Sequence, residues 1–204
     1  MNKTIIKVMV ILFTFHLSLI TASAQSARGI LDKAAAVVGN PTGVKAHFQM
    51  ISKQYGMSEG DIAVKGNKFH ATTADAIIWF DGKTQWTYIK GNDEVNISNP
   101  NEAELQAINP YNFINIYKKG FNLSAKPVSN SYEVHLTPTS KKRGIQEMYI
   151  IVDQKTYQPT HIKMRRKDKW SVILISQLKT TPLSDNQFQF NAKDFPKAEI
   201  IDLR

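Results

Sequence analysis

Pairs of turn-forming residues recur between short apolar runs, and that recurrence limits the fold more than any other feature. Gly66-Asn67, Asp81-Gly82, Gly91-Asn92 and Asn130-Ser131 each separate two strand-like segments. Asp81-Gly82 lies between Ile77-Ile78-Trp79-Phe80 and Gln85-Trp86-Thr87-Tyr88-Ile89. An Asp-Gly or Asn-Gly type pair in such a place favours a tight hairpin, because the turn needs positive backbone φ. Links this short leave no room for crossover helices, so neighbouring strands must pair antiparallel. Many short strands with regular turns point to a barrel or sandwich rather than alternating α/β units.

The strand-like segments extend well beyond that region. Ala46, Phe48 and Met50 alternate with His47, Gln49 and Ile51, and Ile62 and Val64 share one side of the segment that follows. After residue 121 the pattern resumes at 122–128, 132–136, 148–152, 159–166, 170–178 and 198–203, with Phe188 and Phe190 also at strand spacing. Helices are fewer. Ser26 to Val38 places Ile30, Leu31, Ala34, Val37 and Val38 on one stripe, and Gly39-Asn40-Pro41 stops it. Asn99-Pro100 and Asn109-Pro110 open two short helices, the second carrying Phe113, Ile114, Ile116 and Tyr117 and ending at Gly120. Helices inserted between strands must lie against the sheet or across its open end.

Residues 1–24 read as a secretory signal peptide. Lys3 and Lys7 precede an apolar run from Val8 to Ile20, and Ala22-Ser23-Ala24 is a cleavage sequence, so export with cleavage after Ala24 is expected. That run falls short of the ~20 residues a membrane span needs. Residues 25–204 then form one domain, with no internal repeat or linker. The chain has no cysteine, so it must be held by its core alone and cannot be lipid-anchored through one; a bacterial periplasm suits it better than a disulfide-forming secretory route. The formal charge is +9, or +7 once Lys3 and Lys7 are removed, which favours anionic surfaces and acidic partners.

Catalytic chemistry finds no motif. The histidines at 47, 70, 135 and 161 are isolated, there is no metal-ligand spacing and no phosphate-cradling glycine loop, and Asp75 and Asp81 read as turn formers. A non-enzyme without metal or cofactor is expected, and no nucleic-acid motif accompanies the basic residues. Lys163, Arg165, Arg166, Lys167 and Lys169 cluster around one strand end, as a solvated edge or as a docking patch for anionic lipid or an acidic partner. What stands out is the number of large apolar side chains for one sheet, which either fill a core or line the wall of a cavity.

Several motifs in order resemble the LolA-type periplasmic carriers of outer-membrane lipoproteins. They are Phe48-Gln49, Gly60-Asp61-Ile62-Ala63-Val64-Lys65, Lys68-Phe69, Asp81-Gly82-Lys83 with Trp86 and Tyr88, Leu136-Thr137-Pro138 and Phe188-Gln189-Phe190. The resemblance implies an α+β protein, an unclosed curved antiparallel β-barrel of about 11 strands with a lid of short helices over a hydrophobic cavity. Its implied work is to bind the acyl chains of lipoproteins and carry them from an inner-membrane lipoprotein-releasing transporter to an outer-membrane acceptor, as a monomer. Candidate cavity residues are Phe48, Val64, Phe69, Trp79, Trp86, Tyr88, Tyr149, Met164 and Phe190; candidate lid residues are Ile30, Leu31, Ala34, Phe113, Ile116 and Tyr117. In the family an arginine after Val-Lys ties the lid shut. Here Gly66-Asn67 stand in its place, with Lys65 or His70 as candidate substitutes. A general lipid-transfer protein, or a half-barrel envelope-stress regulator that binds a protein partner, is the alternative.

Overall fold

A computed structural model describes residues 26–53, 56–101, 115–140 and 144–204. The expected signal peptide at 1–24, Phe113 with most of the two expected Pro-initiated helices, and the basic loop residues Lys141 to Arg143 lie outside the described residues. Among the described residues an α-helix, α1 (Ala27–Val38), precedes a run of strands: β1 (Val44–Ser52), β2 (Gly56–Lys65), β3 (Lys68–Thr73), β4 (Ala76–Phe80), β5 (Gln85–Ile89) and β6 (Glu94–Ser98). After a short 3-10 turn at Ile116–Lys118 come β7 (Phe121–Val128), β8 (Ser131–Pro138), β9 (Glu147–Asp153), β10 (Pro159–Arg166), β11 (Lys169–Thr180) and β12 (Glu199–Asp202).

All twelve strands form one open, curved sheet in the order β12-β6-β5-β4-β3-β2-β1-β11-β10-β9-β8-β7. Two meanders, β1–β6 and β7–β11, are joined where β11 returns beside β1, with Phe48 opposite Ile175 and Met50 opposite Ile173. A bulge between Lys45 and His47 shifts the register of that joint, and bulges locally bend and twist a sheet. The count exceeds the expected eleven by one, and the exception to antiparallel pairing is β12, which runs parallel to β6. Phe188 and Phe190 are not in a strand. Phe188 closes a 3-10 turn, Asp185–Phe188, capped by the Ser184 side chain, and packs fully buried against Ala63 and Leu183.

The turns follow their chemistry, with one adjustment. Gly66-Asn67 is a two-residue hairpin turn between Lys65 and Lys68, with Gly66 at φ +60°. The Asp81-Gly82 hairpin instead spans four residues, 81–84, because the Asp81 carboxylate accepts from the amides of Lys83 (2.9 Å) and Thr84 (2.8 Å). Gly82 has φ +103°, and a Cβ there would fall 2.7 Å from the Asn67 amide nitrogen, so this position requires glycine. α1 begins with Ser26 capping the amide of Gly29 at 3.1 Å and ends where Gly39 donates to the Ala35 carbonyl.

Candidate functional site: the inner face of the sheet

Side chains alternate across a strand, and partners opposite each other in a ladder share a face. The face against which α1 packs is the inner one. Ile30, Leu31 and Ala34 of α1 are buried there with Val134 and Leu136 of β8, Met148, Ile150 and Val152 of β9, and Ile162 and Met164 of β10. The same face continues across β11 and β1 into a second apolar cluster, Val44, Ala46, Ile62, Val64, Phe69, Ala71 and Phe80, with Phe48 and Ile78 packed beside it. Among the described residues that second cluster is built from strand residues alone, which meet one another on the inside of the bend. Beyond β4 the inner face turns polar, since Phe80 and Ile78 stand opposite Gln85 and Thr87, and Thr87 opposite Asn96.

Register distributes the nine candidate cavity residues over both faces. Phe48, Val64, Phe69 and Met164 lie on the inner face. Trp79, Trp86 and Tyr88 are on the outer face: Trp79 pairs with His70 and Trp86, and Ile77 with Tyr88, all out of phase with the inner Phe69–Phe80 pair. Tyr149, opposite Lys163 and His135, is also outward, and Phe190 reaches the outer face from the C-terminal segment. The reason is that 77–80 is apolar on both sides. Its outer side is covered by the segment after β11, where Phe190 and Phe195 each pack edge-on to Trp79 at 5.5 Å and Phe195 lies 4.6 Å from Tyr88.

The candidate lid residues divide differently. Ile30, Leu31 and Ala34 are buried between α1 and the sheet, Tyr117 is buried and Ile116 packs at the edge of the same cluster. Side-chain hydrogen bonds tie α1 down. The Tyr117 hydroxyl donates to Asp32 Oδ1 at 2.5 Å, with the Arg28 guanidinium 5.7 Å from the Tyr117 ring. At the other end Lys33 Nζ donates to the Tyr157 hydroxyl at 3.2 Å and sits 4.5 Å above that ring. The tie is carried by these tyrosines, of which Tyr117 is among the candidate lid residues and Tyr157 is not.

Lys65 and His70, the candidate substitutes for the missing arginine, both project to the outer face. Lys65 Nζ donates to the Leu183 carbonyl (2.9 Å) and to Asp185 Oδ1 (3.0 Å), and Lys68 bridges Asp185 Oδ2 at 3.2 Å. They clamp the C-terminal segment and do not reach α1. Hydrogen bonds from Lys65 and Lys68 hold the Asp185 carboxyl below its ordinary 3.8. A depressed carboxylate pKa contributes stability above the unfolded value and loses it as pH falls through the folded one. Protection factors in residues 183–190, which compare exchange with the intrinsic amide rate, are therefore expected to fall as pH drops below about 4, and Asp185→Asn should show the same low protection already at neutral pH. Equal protection of that segment in the variant and the parent would remove the clamp.

An open pocket of about 800 Å³ lies between this segment and the outer face, lined by Lys45, Ala63, His70 and Trp79 on the sheet side and by residues such as Gln189, Phe190 and Asp194 opposite. Burial, reinforced by the nearby Lys45 charge, pushes the His70 imidazole below its ordinary 6.5, so it is neutral at pH 7. Among the described residues no three acidic or histidine side chains gather as a metal site. No helix among the described residues is long and apolar enough to cross a membrane.

The architecture is an open, curved sheet that buries one helix against its apolar inner face. The chain belongs to the family described as outer membrane lipoprotein carrier protein LolA, whose model matches residues 17–168. Members of that family bind or carry; they are not enzymes. Among solved structures, the fold is shared with an uncharacterized conserved protein from Thermus thermophilus, at a TM-score of 0.60 and 13% identity over 86% of this chain and 98% of that one. A LolA superfamily protein from Nitrosomonas europaea aligns at a TM-score of 0.45 and 14% identity, over 82% of this chain and 99% of that one. MucB in its complex with MucA from Pseudomonas aeruginosa aligns at 0.45 and 14% identity, over 82% and 62%. No curated protein sequence matches this chain.

Proposed function

We propose that this protein is a periplasmic carrier that shelters the acyl chains of lipoproteins against its inner face, beneath α1. The observation that carries this reading is the inner face itself. It is apolar from β4 through β1 to β8, while the helix that packs on it is tied by side-chain hydrogen bonds that can open without unpairing a strand. Burying Ile30 and Leu31 is worth about 1.5–3 kcal/mol each. An acyl chain gains ~0.8 kcal/mol per buried CH₂, so one long chain is worth on the order of ten kcal/mol on the same surface. Cargo can therefore displace the helix, and a re-seated helix refills the face when cargo leaves.

In this reading residues 1–24 are removed on export and residues 25–204 act as a monomer between an inner-membrane lipoprotein-releasing transporter and an outer-membrane acceptor. Phe48, Val64, Phe69 and Met164 are the acyl-facing members of the candidate set, and Ile30, Leu31 and Ala34 the lid side. The test is native mass spectrometry of protein purified from its own periplasm, with a photo-crosslinking residue at Phe48. An acylated protein attached through position 48 is the expected result. Free phospholipid in its place would make the protein a lipid-transfer protein, and neither one, with no displacement of a fluorescent fatty acid, would overturn acyl carriage.

A further inference from the structure

Register aligns one outer-face residue from each of six neighbouring strands: Met57, Ile51, Val172, Lys163, Tyr149 and His135, from β2 through β1, β11, β10 and β9 to β8. At ~4.8 Å between strands the row runs roughly 24 Å. One end is aliphatic and strongly exposed, Met57 at 68% and Ile51 at 45%. The other end is aromatic, with Tyr149 stacked on His135 at 4.3 Å and 6.2 Å from the Trp170 ring. Between them Lys163 Nζ stands 4.6 Å from the Trp170 ring and 6.0 Å from that of Tyr149.

Cations border the row where β10 turns into β11. Arg165 is engaged, bridging Glu147 at 3.1 Å and approaching Asp168 at 3.8 Å. Lys167 and Lys169 are exposed, and among the described residues neither has a carboxylate partner. Lys53, also exposed, follows Ser52, which pairs with Ser171 on the adjacent strand. A merely solvated edge would account for the lysines but not for Met57 and Ile51 standing beside them in water. An acidic protein would match the lysines and leave the aliphatic end without a partner. A lipid headgroup layer accommodates all three kinds of group at once. Aromatic rings settle at its boundary, aliphatic side chains reach the acyl region, and lysine stems lie along apolar surface with their ammonium groups on phosphate.

We propose that this strip of the outer face docks the protein on an anionic phospholipid bilayer. The docking is independent of what the inner face holds. Its test is co-sedimentation of the exported chain with vesicles of phosphatidylglycerol or of phosphatidylcholine, at low and high salt. Binding to the anionic vesicles that weakens with salt is expected. Lys163→Glu with Lys167→Glu and Lys53→Glu should lower that affinity at least tenfold. Met57→Glu should lower it as well, without removing the salt dependence. Unchanged circular dichroism of each variant would show that the fold is intact. Equal binding to both vesicle types, no binding at low salt, or unaltered binding by the triple variant would each overturn the proposal.

Discussion

Phe69→Ala is expected to remove about 3–5 kcal/mol of folding stability, the range for a fully buried phenylalanine truncated to alanine. For a domain of this size that is a fall in melting temperature of roughly 6–20 °C. Phe69 is 1% exposed and central to the inner cluster of β1–β4, with Val64 opposite it on one side and Phe80 on the other, ring centres 5.5 Å apart. Because that cluster is made by strands meeting on the inside of the bend, a void there has no loop to collapse into it. The check is thermal denaturation of the parent, Phe69→Ala and Phe69→Leu. Leucine should restore much of the loss, and a shift under ~1 kcal/mol for alanine would mean the side chain faces a space already empty. A saturated fatty acid added in excess is expected to narrow the gap between alanine variant and parent, since ligand that binds the native state stabilises it.

Leu31→Asp is expected to lift α1 off the sheet while leaving the strands paired. Leu31 is 0% exposed, flanked by Ile30 and Ala34 and pressed on β7 through β10. An unpaired carboxylate at that point costs several kcal/mol or forces the group into water. The helix can meet that demand by leaving, because its own hydrogen bonds are internal and its ties are the Asp32–Tyr117 and Lys33–Tyr157 contacts. The expected readout is a strand-type circular dichroism spectrum, new binding of an apolar dye, and faster uptake of a fluorescent fatty acid. Loss of the cooperative melting transition would instead make α1 an inseparable part of the core, and the lid reading would fall with it.

How much of this was legible in the sequence depended on whether one face of a strand was polar. β10 alternates cleanly, and its inner residues Ile162 and Met164 are placed by period alone, while Phe48 of β1 and Ile62 and Val64 of β2 share a period-two phase although Ala63 between the last two is buried as well. Residues 77–80 are apolar on both sides, so period two says nothing about which of Trp79 and Phe80 is inside. The answer came from Phe190 and Phe195, more than a hundred residues away, which cover Trp79. Phe188 and Phe190 have strand spacing, yet the Asp185 clamp by Lys65 and Lys68 and the Ser184 cap draw that stretch into a turn. Long-range partners of this kind leave no local signal. Tyr157 was missed for the same reason, and Tyr117, a candidate lid residue, meets Asp32 only through the return of the chain to β7.

The parallel β12 bears on a hazard that an unclosed sheet carries by construction. Such a sheet has two rims of unpaired amides and carbonyls, each a template for a strand from another molecule. At one rim the chain lays its own last strand along β6, four residues from Glu199 to Asp202, so the exposed border is short. At the other, β7 carries Pro127, which has no amide hydrogen to donate, beside Lys126, whose charge is held at the surface by Glu133. The C-terminal segment thus shortens one open rim in addition to covering the outer face, and the proposed carrier, which would open among copies of itself, depends on both rims staying closed to them.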